Sequence, residues 1–288
     1  MSQRGKVSLV GAGPGDPKLL TIGALEVLKR ADVVMFDRLV SPEILRLVPT
    51  EARKVDVGKV PHCAEGGLTQ EQINCMMIRE AKAGRNVVRL KGGDPLLFSR
   101  GFEEIETLKA EDIDFEIVPG ISSAIGVPSF VGIPLTHRRY SSSIAIVTGH
   151  EDKQKIRKSV NWKKLASSVD TIVVLMGVGR SQEIAELLIE GGLVNSTPIA
   201  VIERGTTLDQ KIDYSTLDEL AKGDLRSLMK SPSVIVIGKV VSLARKLFSS
   251  PTPLLRRAAD APNATKSEIA SAPADQIPIT WCLAAEFS

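Results

Sequence analysis

Two glycine-rich turns hold the residues best suited to chemistry. The first, Gly11-Ala12-Gly13-Pro14-Gly15-Asp16, follows an apolar run, and so does the second, Lys91-Gly92-Gly93-Asp94-Pro95. Glycines placed after a strand let a ligand approach the backbone, and N–H groups at the next helix start bind anions or carboxylates. The first turn comes close to the dinucleotide fingerprint GxGxxG. It has Asp16 where the last glycine belongs, and Pro14 removes one N–H. Asp37 falls about where a ribose-binding acid would, which keeps a nucleotide site open. Asp94 has two readings: an acceptor for a ribose or amino group, or the cap of a tight turn before the next helix.

Other chemistries find less support. Cys63, Cys75 and Cys282 have no CxxC spacing and are odd in number, so no disulfide framework is expected. His62, Cys63, His137 and His150 form no recognisable ligand spacing, and no metal is expected. The 37 basic and 34 acidic residues leave a net charge of only +3, which argues against nucleic acid or a membrane surface as partner. No apolar run is long enough to span a bilayer. The start, MSQRGKVSLVGAG, lacks a signal-peptide pattern and enters a strand directly, so a cytoplasmic enzyme is expected.

The elements that must position the turns are legible as an alternation of strands and helices. Strands are predicted at Lys6–Val10, Val33–Phe36, Lys54–Val57, Val87–Leu90 and Phe115–Val118. Between them, one helix is predicted from an Asp16 cap and Pro17 through Arg30, another over Pro42–Val48, and another over Phe102–Ala110. Thr69 and Gln72 have capping-box spacing before a helix with Ile73, Met76 and Met77 on one face. Such alternation predicts a mainly parallel sheet covered on both faces. Pro119–Gly120 reads as a domain junction, and Pro128, Gly132 and Pro134 keep the next stretch irregular. A second set of strands then follows at Ser143–Thr148, Ile172–Met176, Ile199–Glu203 and Val234–Ile237. Helices fall at Ser181–Glu190 and Leu217–Ala221, and Lys211–Tyr214 adds an antiparallel strand. The fold class is α/β in two lobes, residues 1–117 and 118–248. The segment 249–288, rich in Ser, Pro and Ala, reads as a disordered tail.

Taken in order, several motifs add up to a family. They are VGAGPGDPKLLT at Val10–Thr21, FDRLVSPEIL at Phe36–Leu45, VGK at Val57–Lys59, RLKGGDP at Arg89–Pro95 and VPGISSA at Val118–Ala124. GIPLTHR at Gly132–Arg138, LMG at Leu175–Gly177 and TPIAVIERGT at Thr197–Thr206 follow. Over roughly residues 5–245 the chain resembles the tetrapyrrole methyltransferases, most closely those acting on uroporphyrinogen III. The resemblance implies a non-Rossmann methylase fold with S-adenosylmethionine (SAM) in a cleft between the lobes, S-adenosylhomocysteine as product, and a homodimer. It implies methylation of uroporphyrinogen III at C2 and C7, giving precorrin-2 for siroheme and cobalamin synthesis.

Carried over by motif, the donor-binding residues implied are Pro14, Gly92, Gly93, Asp94, Leu97, Ser122, Ser123, Met176, Ala200 and Gly205. Ser122–Ser123 departs from the Thr-Ala often found there, and Val60-Pro61-His62 from Arg-Ala-Gly. The implied acid–base pair is Asp37 and Lys59. The substrate is rimmed with carboxylates, and Arg38, Arg89, Arg100 and Arg138 are the candidate cations for it, with Lys91 and Arg139 nearby. Two other functions stay in view. One is a nucleotide-dependent oxidoreductase with pyrophosphate on Gly11–Gly15. The other is a family member acting on a later corrin precursor, a protein or RNA.

Overall fold

The computed structural model describes residues 5–58, 68–150, 160–223 and 229–247. Lys59 and the tail expected from residue 249 lie outside the described residues. Residues Met1–Ser250 make one compact unit, built on two five-stranded sheets.

The first sheet contains β1 (Lys6–Gly11), β2 (Val33–Phe36), β3 (Arg53–Asp56), β4 (Val87–Lys91) and β5 (Asp114–Val118). Its order is β3-β2-β4-β1-β5, and every pairing is parallel. Side chains alternate between its two faces. Val10, Val34, Val88 and Leu90 pack on one face against Ala24 and Leu28 of α1 (Ile22–Leu28) and Ile44 of α2 (Pro42–Leu45). Val7, Leu9, Val33 and Met35 pack on the other against Ile73 and Met77 of α3 (Gln70–Lys82), and Ile105 and Leu108 of α4 (Gly101–Ala110). Each Val, Leu, Ile or Met among them, fully buried, contributes about 1.5–3 kcal/mol.

The topology creates a crevice. From β1 the chain crosses one face through α1 to β2, and from neighbouring β4 it crosses the other face through α4 to β5. Two adjacent parallel strands whose connections leave in opposite directions open a gap at their carboxyl ends, where ligands of open α/β sheets bind. The two glycine turns leave from those two strand ends.

The second sheet has order β6-β7-β10-β8-β9, from β6 (Ile144–Thr148), β7 (Thr171–Leu175), β8 (Pro198–Glu203), β9 (Lys211–Thr216) and β10 (Ser233–Ile237). Here only β6 and β7 run parallel, unlike the first sheet, and the antiparallel strand expected near Lys211 is β9. Helices α5 (Ser123–Phe130) and α9 (Val241–Leu247) cover the face of Val173, Ala200, Ile202 and Val236. Helices α6 (Trp162–Ser168), α7 (Ser181–Glu190) and α8 (Leu217–Ala221) cover the face of Ile172, Val174, Ile199 and Val201. No helix of the described residues is long and apolar enough to cross a membrane.

Three local expectations are corrected. The helix expected from Asp16 through Arg30 is two pieces: Asp16 caps a 3-10 turn at Pro17–Leu19, Leu20 is extended, and Thr21 caps α1 anew by accepting from the Ala24 N–H. The helix expected to reach Val48 stops at Leu45. The stretch read as irregular after Gly120 contains α5, with Pro128 inside it. Proline there forfeits one helical hydrogen bond, and the helix ends two residues later.

Candidate active site

The two glycine turns hydrogen-bond to each other. Gly13 N–H donates to the Gly93 carbonyl at 3.1 Å, and Gly93 N–H donates to the Gly13 carbonyl at 2.8 Å. Both residues have φ of +72°, a conformation that favours glycine. A third glycine closes the arrangement. A Cβ on Gly120 would lie 2.3 Å from the Gly93 carbonyl oxygen and 2.6 Å from the Gly11 Cα. Gly120 was read from sequence as a domain junction; in the structure it is the wall against which both turns pack.

Asp94 caps its own turn. Its Oδ1 accepts from the N–H groups of Leu96 and Leu97 at 2.9 and 3.1 Å, and its Oδ2 accepts from Gly120 N–H at 3.2 Å. The carboxylate thus shapes its own turn and ties it to the segment leading into α5. That segment brings Ser122, whose hydroxyl caps α5 by accepting from Ala124 N–H, and Ser123 toward Gly93. A Cβ on Gly93 would lie 3.8 Å from the Ser122 Cα and the Ser123 nitrogen, so the second turn packs in ordinary contact against the segment that starts α5.

The first turn also reaches the second sheet. Asp16 N–H donates to the Thr206 hydroxyl at 3.2 Å, and a Cβ on Gly15 would meet Thr207 at 2.8 Å. Pro14 lies against Gly126 of α5, and Gly205 is fitted closely by Val127 of the same helix. Pro14, Gly92, Gly93, Asp94, Ser122, Ser123 and Gly205 are therefore brought to one place around the start of α5. Leu97, 37 % exposed, stands on the Asp94 turn. Met176 follows β7 with a left-handed φ of 54° and is 51 % exposed. Backbone strain of this kind concentrates at functional sites. Ala200 is fully buried in the core beneath α5. The sequence did not single out Thr206. It too has positive φ, 68°, rare for a β-branched residue, and the run Glu203-Arg204-Gly205-Thr206 carries no local signal of its bond to the first turn.

A phosphate cradle needs free N–H groups, and this turn has few. Ala12 N–H donates to the Lys91 carbonyl, Gly13 to Gly93 and Asp16 to Thr206, while Pro14 has none to give.

Asp37 leaves the end of β2 beside these turns, its side chain 30 % exposed. Its Oδ1 accepts from Arg89 Nη2 at 2.5 Å. Arg89 was expected among the substrate cations; the structure turns it inward. Its side chain is 3 % exposed, its Nε donates to Glu104 Oε1 at 3.1 Å, and its Nη1 reaches the Met35 and Leu90 carbonyls at 3.4 Å. Lys91 is buried as well and donates to Glu104 Oε2 at 3.0 Å. Burial, then the charge of Arg89, holds Lys91 below the usual lysine range. Burial opposes the Arg89 charge most strongly, yet Asp37 and Glu104 together raise its proton affinity. Of the remaining cations, Arg38 and Arg138 are exposed, and Arg100 grips Glu103 through Nε and Nη2.

A parallel α/β sheet with paired glycine turns at its switch point, joined to a mixed second sheet through a helix that starts at the site, defines a class. The profile of the tetrapyrrole (corrin/porphyrin) methylases matches residues 6–221, and the chain belongs to that family. The chain is 47 % identical over 239 residues to an S-adenosyl-L-methionine-dependent uroporphyrinogen III methyltransferase of Methanosarcina barkeri. That match covers 83 % of this chain and 93 % of the relative. It is also 47 % identical over 249 residues to a siroheme synthase of Escherichia fergusonii, covering 86 % of this chain and about half, 52 %, of that longer protein. Among solved structures, uroporphyrin-III C-methyl transferase from Thermus thermophilus in complex with S-adenyl homocysteine superposes with a TM-score of 0.72. Its identity is 39 %, and the match covers 83 % of this chain and all of that one. A cobalt precorrin-4 methyltransferase superposes at 0.73 with 26 % identity, covering 82 % of this chain and 95 % of that one.

Proposed function

We propose that this chain transfers methyl groups from SAM to C2 and C7 of uroporphyrinogen III, giving precorrin-2 and S-adenosylhomocysteine. The observation that carries the proposal is the 47 % identity along 93 % of a relative whose name states both donor and acceptor. The geometry supports it. The glycine backbone at Gly93 and the capped start of α5 at Ser122, packed against each other, offer a donor molecule a backbone wall and a polar edge. The first turn's spent N–H groups count against a pyrophosphate and so against the oxidoreductase.

Methyl transfer from a sulfonium is an in-line displacement. A nucleophilic macrocycle carbon forms the new C–C bond as the S–CH3 bond breaks and its electron pair returns to sulfur. The protein mainly orients the acceptor and excludes water. The carbon framework must afterwards lose a proton, and Asp37, ionic and partly open to solvent, takes it. Lys59 acts as the partner acid. Arg38 and Arg138, both exposed, are the cations we assign to substrate carboxylates, each well-made contact contributing about 1.5–3 kcal/mol. The acting form is a homodimer of the cytoplasm, a proposal supported by the family resemblance alone. An anaerobic assay with uroporphyrinogen III and SAM tests the activity, through a product two methyl groups heavier. Turnover of a later corrin precursor in place of uroporphyrinogen III would overturn it.

A further inference from the structure

We infer that Glu104 and Lys91, both buried, act through Arg89 as positioning residues that set the aim and the proton affinity of Asp37. This rests on Asp37 being the base. Glu104 is fully buried on α4, yet its two oxygens serve three donors: Arg89 Nε at 3.1 Å, Gln70 Nε2 at 3.1 Å and Lys91 Nζ at 3.0 Å. Gln70 is itself held by Asn74, and Asn74 donates to Thr107 at 3.0 Å. Neither Glu104 nor Lys91 touches solvent, and a buried ion pair is a weak source of stability. What the cluster does fix is Arg89. With Nε on Glu104 and Nη1 on two carbonyls, Nη2 has one direction left, and Asp37 lies there.

The charges reinforce this. Asp37 and Glu104 share one guanidinium, and Lys91 answers the second carboxylate, so the cluster is neutral. Arg89 and Lys91 face Asp37 from β4 and Glu104 from α4, while Arg38 adjoins it in the loop. Asp56 ends the neighbouring strand β3, and Asp94 sits on the turn after β4. Removing the Glu104 charge leaves a positive excess, and Asp37 then binds a proton less readily. Removing the Lys91 charge leaves a negative excess, with the opposite result. A charge lost one guanidinium away moves a neighbour's titration by about one pH unit at the effective dielectric of such sites.

The test uses Glu104→Gln and Lys91→Met in the full chain. The Asp37 carboxyl is titrated by carbon-13 NMR, and kcat/KM for uroporphyrinogen III is recorded against pH. The Asp37 midpoint is expected to move down by about one unit in E104Q and up in K91M, with the acid limb of the rate profile following each. Midpoints that stay in place, or that move the same way in both variants, would overturn the inference. A midpoint that moves while the acid limb stays supports the coupling but removes Asp37 as the base, so the two proposals fail separately. If E104Q does not fold, K91M still reads the coupling, because it leaves the bond between Glu104 and Arg89 in place.

Discussion

At the scale of single residues, the site separates side chains open to solvent from those that hold others still. Asp37 is open to solvent on one side and fixed by Arg89 on the other, so Asp37→Asn keeps the shape and loses the proposed proton acceptor. Turnover is expected to fall by about 100- to 10,000-fold, the usual worth of a positioned base. S-adenosylhomocysteine affinity in calorimetry should stay within about threefold; an equal loss in both would place Asp37 in the donor pocket instead. The sequence made Asp37 visible through its motif and its distance from the first turn. It did not reveal that Arg89 faces inward. Arg89 sits on a strand buried on both faces, and its partner Glu104 is remote in sequence, on a helix that reads locally as an ordinary amphipathic one. Buried ion pairs are tertiary facts.

At the scale of elements, glycine position decides whether the turns can meet. Gly120→Ala would set a methyl group 2.3 Å from the Gly93 carbonyl oxygen. Such overpacking costs about 1–3 kcal/mol. Urea unfolding should show that loss, and donor affinity should fall at least tenfold, since the displaced atoms form the Gly13–Gly93 bridge. Glu80 at the end of α3 gives a second expectation at this scale. It is buried and paired with Arg53 at 2.7 Å, and with Arg79 and Arg85. The Arg53 hydrogen bond chiefly holds its carboxyl below the usual range. A carboxylate depressed in the folded state adds stability above its unfolded pKa, about 4.3, and loses it as pH falls through the folded value. Glu80→Gln should therefore cost about 1–2 kcal/mol at pH 7. The gap from the native chain should close as unfolding is followed from pH 5 downward; a gap independent of pH would contradict the ionic origin.

Most elements were legible because their signals are local. Short apolar runs bounded by turn residues marked the strands of both sheets to within a residue or two, and the Thr69–Gln72 capping box gave the start of α3. Helix α5 was hidden by Pro128 and its flanking glycine and proline. Those residues mark breaks in an isolated chain, but here α5 is paid back by burying Ala124 and Val127 beneath the second sheet. The break at Leu20 was missed for the opposite reason: helical spacing runs through it, while the second cap at Thr21 also bonds the Pro119 carbonyl, a contact 98 residues away in sequence.

At the scale of the whole molecule, the sheets divide the labour. The parallel sheet carries both glycine turns and Asp37, and the mixed sheet supplies α5, Met176 and the Thr206 bond that ties the two sheets at Asp16. The family profile ends at residue 221. A chain shortened to residues 1–249 should accordingly keep its turnover within about twofold, and a large drop would give the remaining residues a part in activity. The most direct measurement of the central claim is the anaerobic reaction of the full chain with uroporphyrinogen III and SAM, followed by product mass and by titration with S-adenosylhomocysteine and NAD(P). Transfer of two methyl groups to uroporphyrinogen III, with tight S-adenosylhomocysteine binding and no response to NAD(P), is the predicted result. Binding of NAD(P) without methyl transfer would contradict it.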